Sequence, residues 1–213
     1  MKTNALRTTN GKDFTFQKRT DEFRWPFKTM VMVLLAISLL ALLLAPAQMP
    51  ADYSWIRHTT SESAAQGVQG AWLARLGFML FGLMVIWLAQ SLREEWPTAV
   101  RWMQAAFGVF MVGAAVFSKR AWRPEAAYDP VEDALHSFAA TAMGFAFTIG
   151  VVANLLRRDR DRFGRVIDLS AAVAAVVIPL AMLTLPEWDG LMQRGMFIIS
   201  YLWFGFEALR SHR

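Results

Sequence analysis

Between Lys28 and Asp52 the chain carries no acid and no base. The centre of that stretch, Val31 to Ala45, is almost pure hydrocarbon. Together with Trp25-Pro26-Phe27 it approaches the roughly 20 apolar residues that a helix needs to cross a bilayer core. Five further apolar stretches follow, so the expected spans are 26–46, 71–92, 99–118, 134–156, 166–185 and 190–209. None alternates apolar with polar, and an open sheet cannot satisfy its backbone in lipid. The expectation is therefore all-α: a polytopic membrane helix bundle of six transmembrane helices, with a basic tail at 1–25 and a short C-terminus at 210–213. The connections are too short to hold a separate soluble domain.

Both termini are expected in the cytoplasm, because Lys and Arg concentrate in loops retained there. The first tail holds Lys2, Arg7, Lys12, Lys18, Arg19 and Arg24, and the fourth connection holds Arg157, Arg158, Arg160, Arg162 and Arg165. Topology thus accounts for the net charge of +5, and nucleic acid is not an expected partner. The chain has no cysteine, which excludes disulfides and thiolate chemistry. A basic leader, an apolar run and Ala45-Pro-Ala47 also resemble a signal peptide with its cleavage site. The apolar run is long for that, and a retained first span is the favoured reading. The localisation expected is a cell membrane, most simply a bacterial inner membrane. Membrane lipids are the expected partners, and a homo-oligomer is left open.

Ionisable groups inside a span are costly and usually face protein or water. The fourth span opens with Asp129-Pro-Val-Glu-Asp-Ala-Leu-His136. Asp129 suits an N-cap, Pro130 the first helical position and Glu132 a reciprocal capping box. His136 needs another reason, and Asp133 and Glu132 precede it at the spacings that share a helix face. Arg75 in the second span and Gln193-Arg194 in the sixth start from the same outer face. These residues are expected to form an outer-leaflet polar site in which Arg75, Arg194, Gln193, His136, Glu62 and Glu132 bind an anionic group or lipid headgroup, a task suited to guanidinium forks. The long first outer loop would fold over it and contribute Ser61, Glu62 or His58. An alternative is a lipid hydrolase or transferase, with His136 as general base, Asp133 or Glu132 orienting it, and Ser61 or Ser63 as nucleophile. A small transporter is a further alternative, although no inverted repeat or paired broken helix is visible.

On the inner side, Asp168 is expected in the first turn of its helix, Glu207 paired with Arg210, and Arg101 snorkelling. Ala140-Thr-Ala-Met-Gly144 and Ala171, Ala172, Ala174 and Ala175 are expected to let the fourth and fifth helices pack closely in the bundle interior. Pro179 is expected to kink the fifth.

Tyr53-Ser-Trp-Ile-Arg-His-Thr-Thr-Ser-Glu62, followed by Leu76-Gly-Phe-Met-Leu-Phe-Gly82, resembles the opening of the family called domain of unknown function 998. That family shows a Ser-Glu pair in the first outer loop and a Gly-Phe stretch in the second helix. The acidic approach to His136 and Gln193-Arg194 are similar too, so the resemblance covers most of residues 50–210. It implies a six-helix polytopic protein with an outer-face site and supplies no reaction. Intramembrane zinc hydrolases of the ceramidase and adiponectin-receptor type make a poorer comparison. They use three His, and here only His58 and His136 can face outward. No metal and no cofactor is expected.

Overall fold

The computed structural model describes residues 26–212. The basic tail therefore lies outside the described residues. Six long helices form: α1 (Phe27–Leu44), α2 (Trp72–Ser91), α3 (Thr98–Val116), α4 (Pro130–Leu155), α5 (Arg162–Met182) and α6 (Asp189–Arg210). Short 3-10 turns occupy Ala45–Gln48, Glu62–Ala64 and Pro186–Trp188. The helix starts follow local chemistry. Pro26 and Pro97 precede α1 and α3, where a missing N–H costs nothing. Asp129 accepts from the backbone N–H groups of Val131 and Glu132 at the head of α4, and Asp161 accepts from Gly164 at the head of α5. These caps start α4 and α5 four residues before the expected spans.

Each helix packs on the next, and α6 returns to α1, closing a ring. Five of the six are long and apolar enough to cross a membrane by themselves, and the protein is a multi-pass membrane helix bundle. The sixth, α6, carries Asp189, Arg194, Glu207 and Arg210, and of these Arg194 and Glu207 are buried. A helix that faces protein on much of its surface does not need a lipid-compatible exterior all round.

The centre is aromatic. Phe81 of α2 stacks on Tyr201 of α6 at 3.9 Å, and Phe107, Phe147, Trp203 and Phe204 pack edge-on or tilted around them. The Ser38 hydroxyl of α1 donates to the Gly77 carbonyl of α2 at 2.7 Å, and the Tyr201 hydroxyl, 2.5 Å away, donates to Ser38 in turn. One relay thus joins three helices. At the α2–α3 crossing two glycines face each other. A Cβ on Gly82 would lie 2.6 Å from the Gly108 carbonyl, and one on Gly108 would lie 2.7 Å from the Gly82 carbonyl. Only glycine permits that backbone approach.

Helix ends alternate between two poles. The first and third interhelical connections and the Pro186–Trp188 turn form a cap at one pole, and the Arg157–Arg165 connection marks the other, basic pole. At the basic pole Arg160 bonds Asp168 through Nε (2.7 Å) and a terminal nitrogen (2.8 Å), and reaches Glu207 at 2.6 Å. Indole N–H groups of Trp203 and Trp96 complete the two carboxylates at 2.8 and 3.0 Å. This replaces two expectations. Asp168 lies nearly two turns into α5 and is fully buried. Glu207 pairs with Arg160, while Arg210 pairs with Asp161 at 2.8 Å. Arg101 lies over the Trp102 ring at 5.0 Å. A buried carboxylate needs a buried cation, and the exposed Arg210 cannot meet that need.

The expectation for α5 is also corrected. It is peripheral, with Val173, Val177 and Leu180 each more than half exposed. Helices α2 and α6 each bury more residues than any other helix, and α5 buries the fewest.

Candidate functional site

The first loop folds as a lid over the cap pole, and α6 anchors it. The first backbone N–H groups of a helix lack intrahelical partners. Here Gly190 donates to the Arg57 carbonyl at 3.2 Å and Leu191 to the Ile56 carbonyl at 3.0 Å. A Cβ on Gly190 would collide with the Trp55 and His58 carbonyls, so glycine sets the close approach. Arg194, 3% exposed, then threads the loop. Its guanidinium donates to the carbonyls of Trp55 (2.7 Å), His58 (3.0 Å) and Gly190 (2.8 Å) and to the Tyr53 hydroxyl (2.6 Å). Burial pushes the Tyr53 phenol above its ordinary value against the pull of Arg194. It stays protonated and donates onward to the His58 and Thr59 carbonyls.

Arg75 does the same from α2, donating to the carbonyls of Ala64 and Ala65, both at 3.0 Å. The two guanidiniums expected to clamp an anion are thus bonded to main-chain carbonyls of the lid. Glu62 closes a local cap by accepting from the Thr59 N–H (2.6 Å) and hydroxyl (2.9 Å). His58 accepts from the Ser54 N–H at Nδ1 (2.9 Å) and stacks on Trp122. Gln66 ties the lid to the third connection, donating to the Ser118 carbonyl (2.8 Å) and accepting from the Asp129 N–H (2.7 Å).

The acids before His136 are bonded to backbone N–H groups of the third connection. Glu132 accepts from the Ser118 N–H at 2.8 Å and Asp133 from the Arg120 N–H at 2.8 Å. Both hold the chain that leaves α3. The reciprocal capping bond expected of Glu132 is not formed, because Gln66 takes the Asp129 N–H. His136 itself is buried, and its Nδ1 faces the carbonyls of Phe117 (2.8 Å) and Ala114 (3.1 Å). Two acceptors require that Nδ1 carry the proton, which leaves the lone pair on Nε2. Nε2 is buried and unpartnered. No hydrogen bond joins His136 to Asp133 or Ser61, nor any two of Arg75, His136 and Arg194, among the described residues. Arg75 and Glu132 do share the wall of an open polar groove of about 550 Å³ with Gln66 and Asp129.

Ser61 and Gln193 are brought together: the Ser61 N–H donates to Gln193 Oε1 at 3.2 Å. Both line a cavity of about 680 Å³ enclosed by α3, α4, α5 and α6, with Asp189 beside them. Below that polar end the walls are apolar, formed by residues such as Met111, Phe147, Met196 and Phe197. Ala140, Gly144, Ala174 and Ala175 also line it. Along this stretch the small side chains leave space between α4 and α5, although the two helices still pack on each other. A Cβ on Gly144 would meet nothing within 4 Å. Phe145, Leu180 and Leu183 line the cavity and are exposed on the apolar flank of the bundle, so it opens sideways. Pockets of this size commonly hold a small ligand by apolar walls and a few polar groups.

Sequence reasoning missed Asp189, whose Oδ1 is buried without a partner, and missed Tyr53 and Arg160. The small-residue runs on α4 and α5 signalled the cavity but equally signal tight packing. Comparison with curated proteins and with solved structures finds no match. The lid bearing Ser61 and Glu62, the Gly-Phe stretch of α2, His136 and Gln193-Arg194 all lie inside one family match described as protein of unknown function (DUF998), which covers residues 29–209, and the chain belongs to that family.

Proposed function

We propose that the protein is an intramembrane binding protein for an amphiphile. The hydrocarbon chain enters the cavity sideways between α4 and α5, and the head rests at Ser61, Asp189 and Gln193 under the lid. One observation carries this reading: an apolar cavity of about 680 Å³ that opens on the lipid-facing flank and ends in polar side chains at one pole. A soluble ligand would gain little from such an entrance, whereas a bilayer lipid already has its chain at that depth. The excess of basic residues at the opposite pole supports a reading in which the cap, and so the head, lies in the outer leaflet, most simply of a bacterial inner membrane.

Gly144→Leu tests the reading. The new side chain grows into open space, and leucine replaces glycine in a helix interior. The variant should therefore fold at least as stably as wild type while losing a co-purifying lipid, as measured by mass spectrometry of the extracted protein. Unchanged lipid content in a well-folded Gly144→Leu protein would defeat the proposal.

A further inference from the structure

We infer that the head of the bound amphiphile carries a primary ammonium next to a phosphate, as in an ethanolamine-type aminophospholipid. This rests on the cavity reading above and adds the chemical class of the ligand. Three side chains meet at the polar end of the cavity, and their unused valences differ. Asp189 offers an acceptor, since its Oδ1 is buried and has no partner. Gln193 has its carbonyl oxygen taken by the Ser61 N–H, which fixes the amide so that the Nε2 group is a spare donor. The Ser61 hydroxyl has no partner among the described residues and can donate as well.

An acceptor carboxylate beside two donors is complementary to a zwitterion. A phosphate accepts from Gln193 and Ser61, and an ammonium N–H donates to Asp189, a charge-assisted bond of the stronger kind. A buried carboxylate oxygen left unpaired is costly, so the donor is the part of the head that the site selects most strongly.

A net anionic head fits poorly. The Asp189 carboxylate itself repels a head that brings only negative charge to the same end of the cavity. The N–H groups of Gly190 and Leu191, which would otherwise hold an anion at the start of α6, are bonded to lid carbonyls. The Arg194 guanidinium is bonded to the lid in the same way. A quaternary choline head has the charge but no N–H to donate.

The full-length protein, exchanged into mixed micelles holding equal amounts of dioleoyl phosphatidylethanolamine, phosphatidylcholine and phosphatidylglycerol, can be read by native mass spectrometry. The ethanolamine lipid should dominate the bound species, and stepwise N-methylation of the head should weaken binding until the choline form. Asp189→Asn should reduce the preference for ethanolamine over choline about fivefold, the ratio between a charged and a neutral hydrogen bond. The wild-type ranking needs no variant, so a misfolded Asp189→Asn protein does not rescue the idea. If all three lipids bind equally and Gly144→Leu removes them, the cavity stands and the ammonium inference fails. Dominance of phosphatidylglycerol also overturns it. If no lipid is held, or Gly144→Leu changes nothing, the cavity reading fails and takes this inference with it.

Discussion

Arg160 donates to Glu207 at 2.6 Å although 47 positions separate them, and both side chains are at least 95% buried. The same guanidinium grips Asp168 with two bonds, so one cation joins the loop after α4 to α5 and α6. Removing one member of a buried pair leaves an uncompensated charge and typically costs 3–5 kcal/mol. Arg160→Ala should therefore lower stability by about 3–5 kcal/mol, read as a large drop in the thermal midpoint. Arg210→Ala removes only an exposed partner of Asp161 and should change stability by less than about 1 kcal/mol. Comparable losses from the two variants would contradict the assignment.

The glycines separate in the same way. Gly82→Ala places a Cβ 2.6 Å from the Gly108 carbonyl, a main-chain atom that cannot move without shifting α3. A marked loss of stability is expected. Gly144→Ala, in open space, should be neutral or gain up to about 1 kcal/mol from helix propensity. Thermal unfolding of the two purified variants measures both signs.

Arg194→Lys should loosen the lid without melting the bundle. Lysine is a point charge with three donors and lacks the planar fork. Here the guanidinium reaches three carbonyls and a phenol. Hydrogen exchange across residues 52–66 should accelerate by an amount equivalent to about 1–3 kcal/mol of local opening. Exchange in α2 and α3 should be unchanged. Equal acceleration throughout would mean that Arg194 supports the whole fold and not the lid in particular.

The lid also carries an acid-sensitive contact. The Arg123 guanidinium beside Asp52 holds its carboxyl well below the usual carboxylate range, with the Trp122 indole adding a second bond. A depressed carboxylate contributes above its unfolded value and loses that contribution as pH falls through its folded value. The contact should therefore persist from neutral pH down past the ordinary carboxylate value of 3.8 and fail only in stronger acid. Trp122 fluorescence should follow that transition, and Asp52→Asn should remove it.

The helix count and order could be read from the chain because lipid imposes long apolar runs, and the cap of α4 because Asp129-Pro130 is a local signal. The alternation of poles was equally legible from the spans. Partner choice was not. Glu207 sits three residues from Arg210, and spacing alone favours that pair, yet burial selects Arg160 from another loop. Arg75 and Arg194 were legible as costly side chains needing protein around them. What they hold depends on a lid whose course only tertiary packing fixes. The small residues of α4 and α5 stated that little volume is present there, not whether a helix or a ligand fills the remainder. Asp189 was not legible as a site residue, because nothing local reveals an orphaned oxygen at the end of a cavity.

The occupancy of the cavity is the central claim, and photo-cross-linking addresses it most directly. A phosphatidylethanolamine with a diazirine along one acyl chain, incorporated into vesicles with the full-length protein, labels whatever the chain touches. Cross-links should reach inward residues such as Met111, Phe147 and Phe197, which line the cavity and are buried, and Gly144→Leu should abolish those. Labels confined to outward residues such as Leu40 and Leu44 of α1, with none on the buried lining or with no change there in Gly144→Leu, would contradict the account.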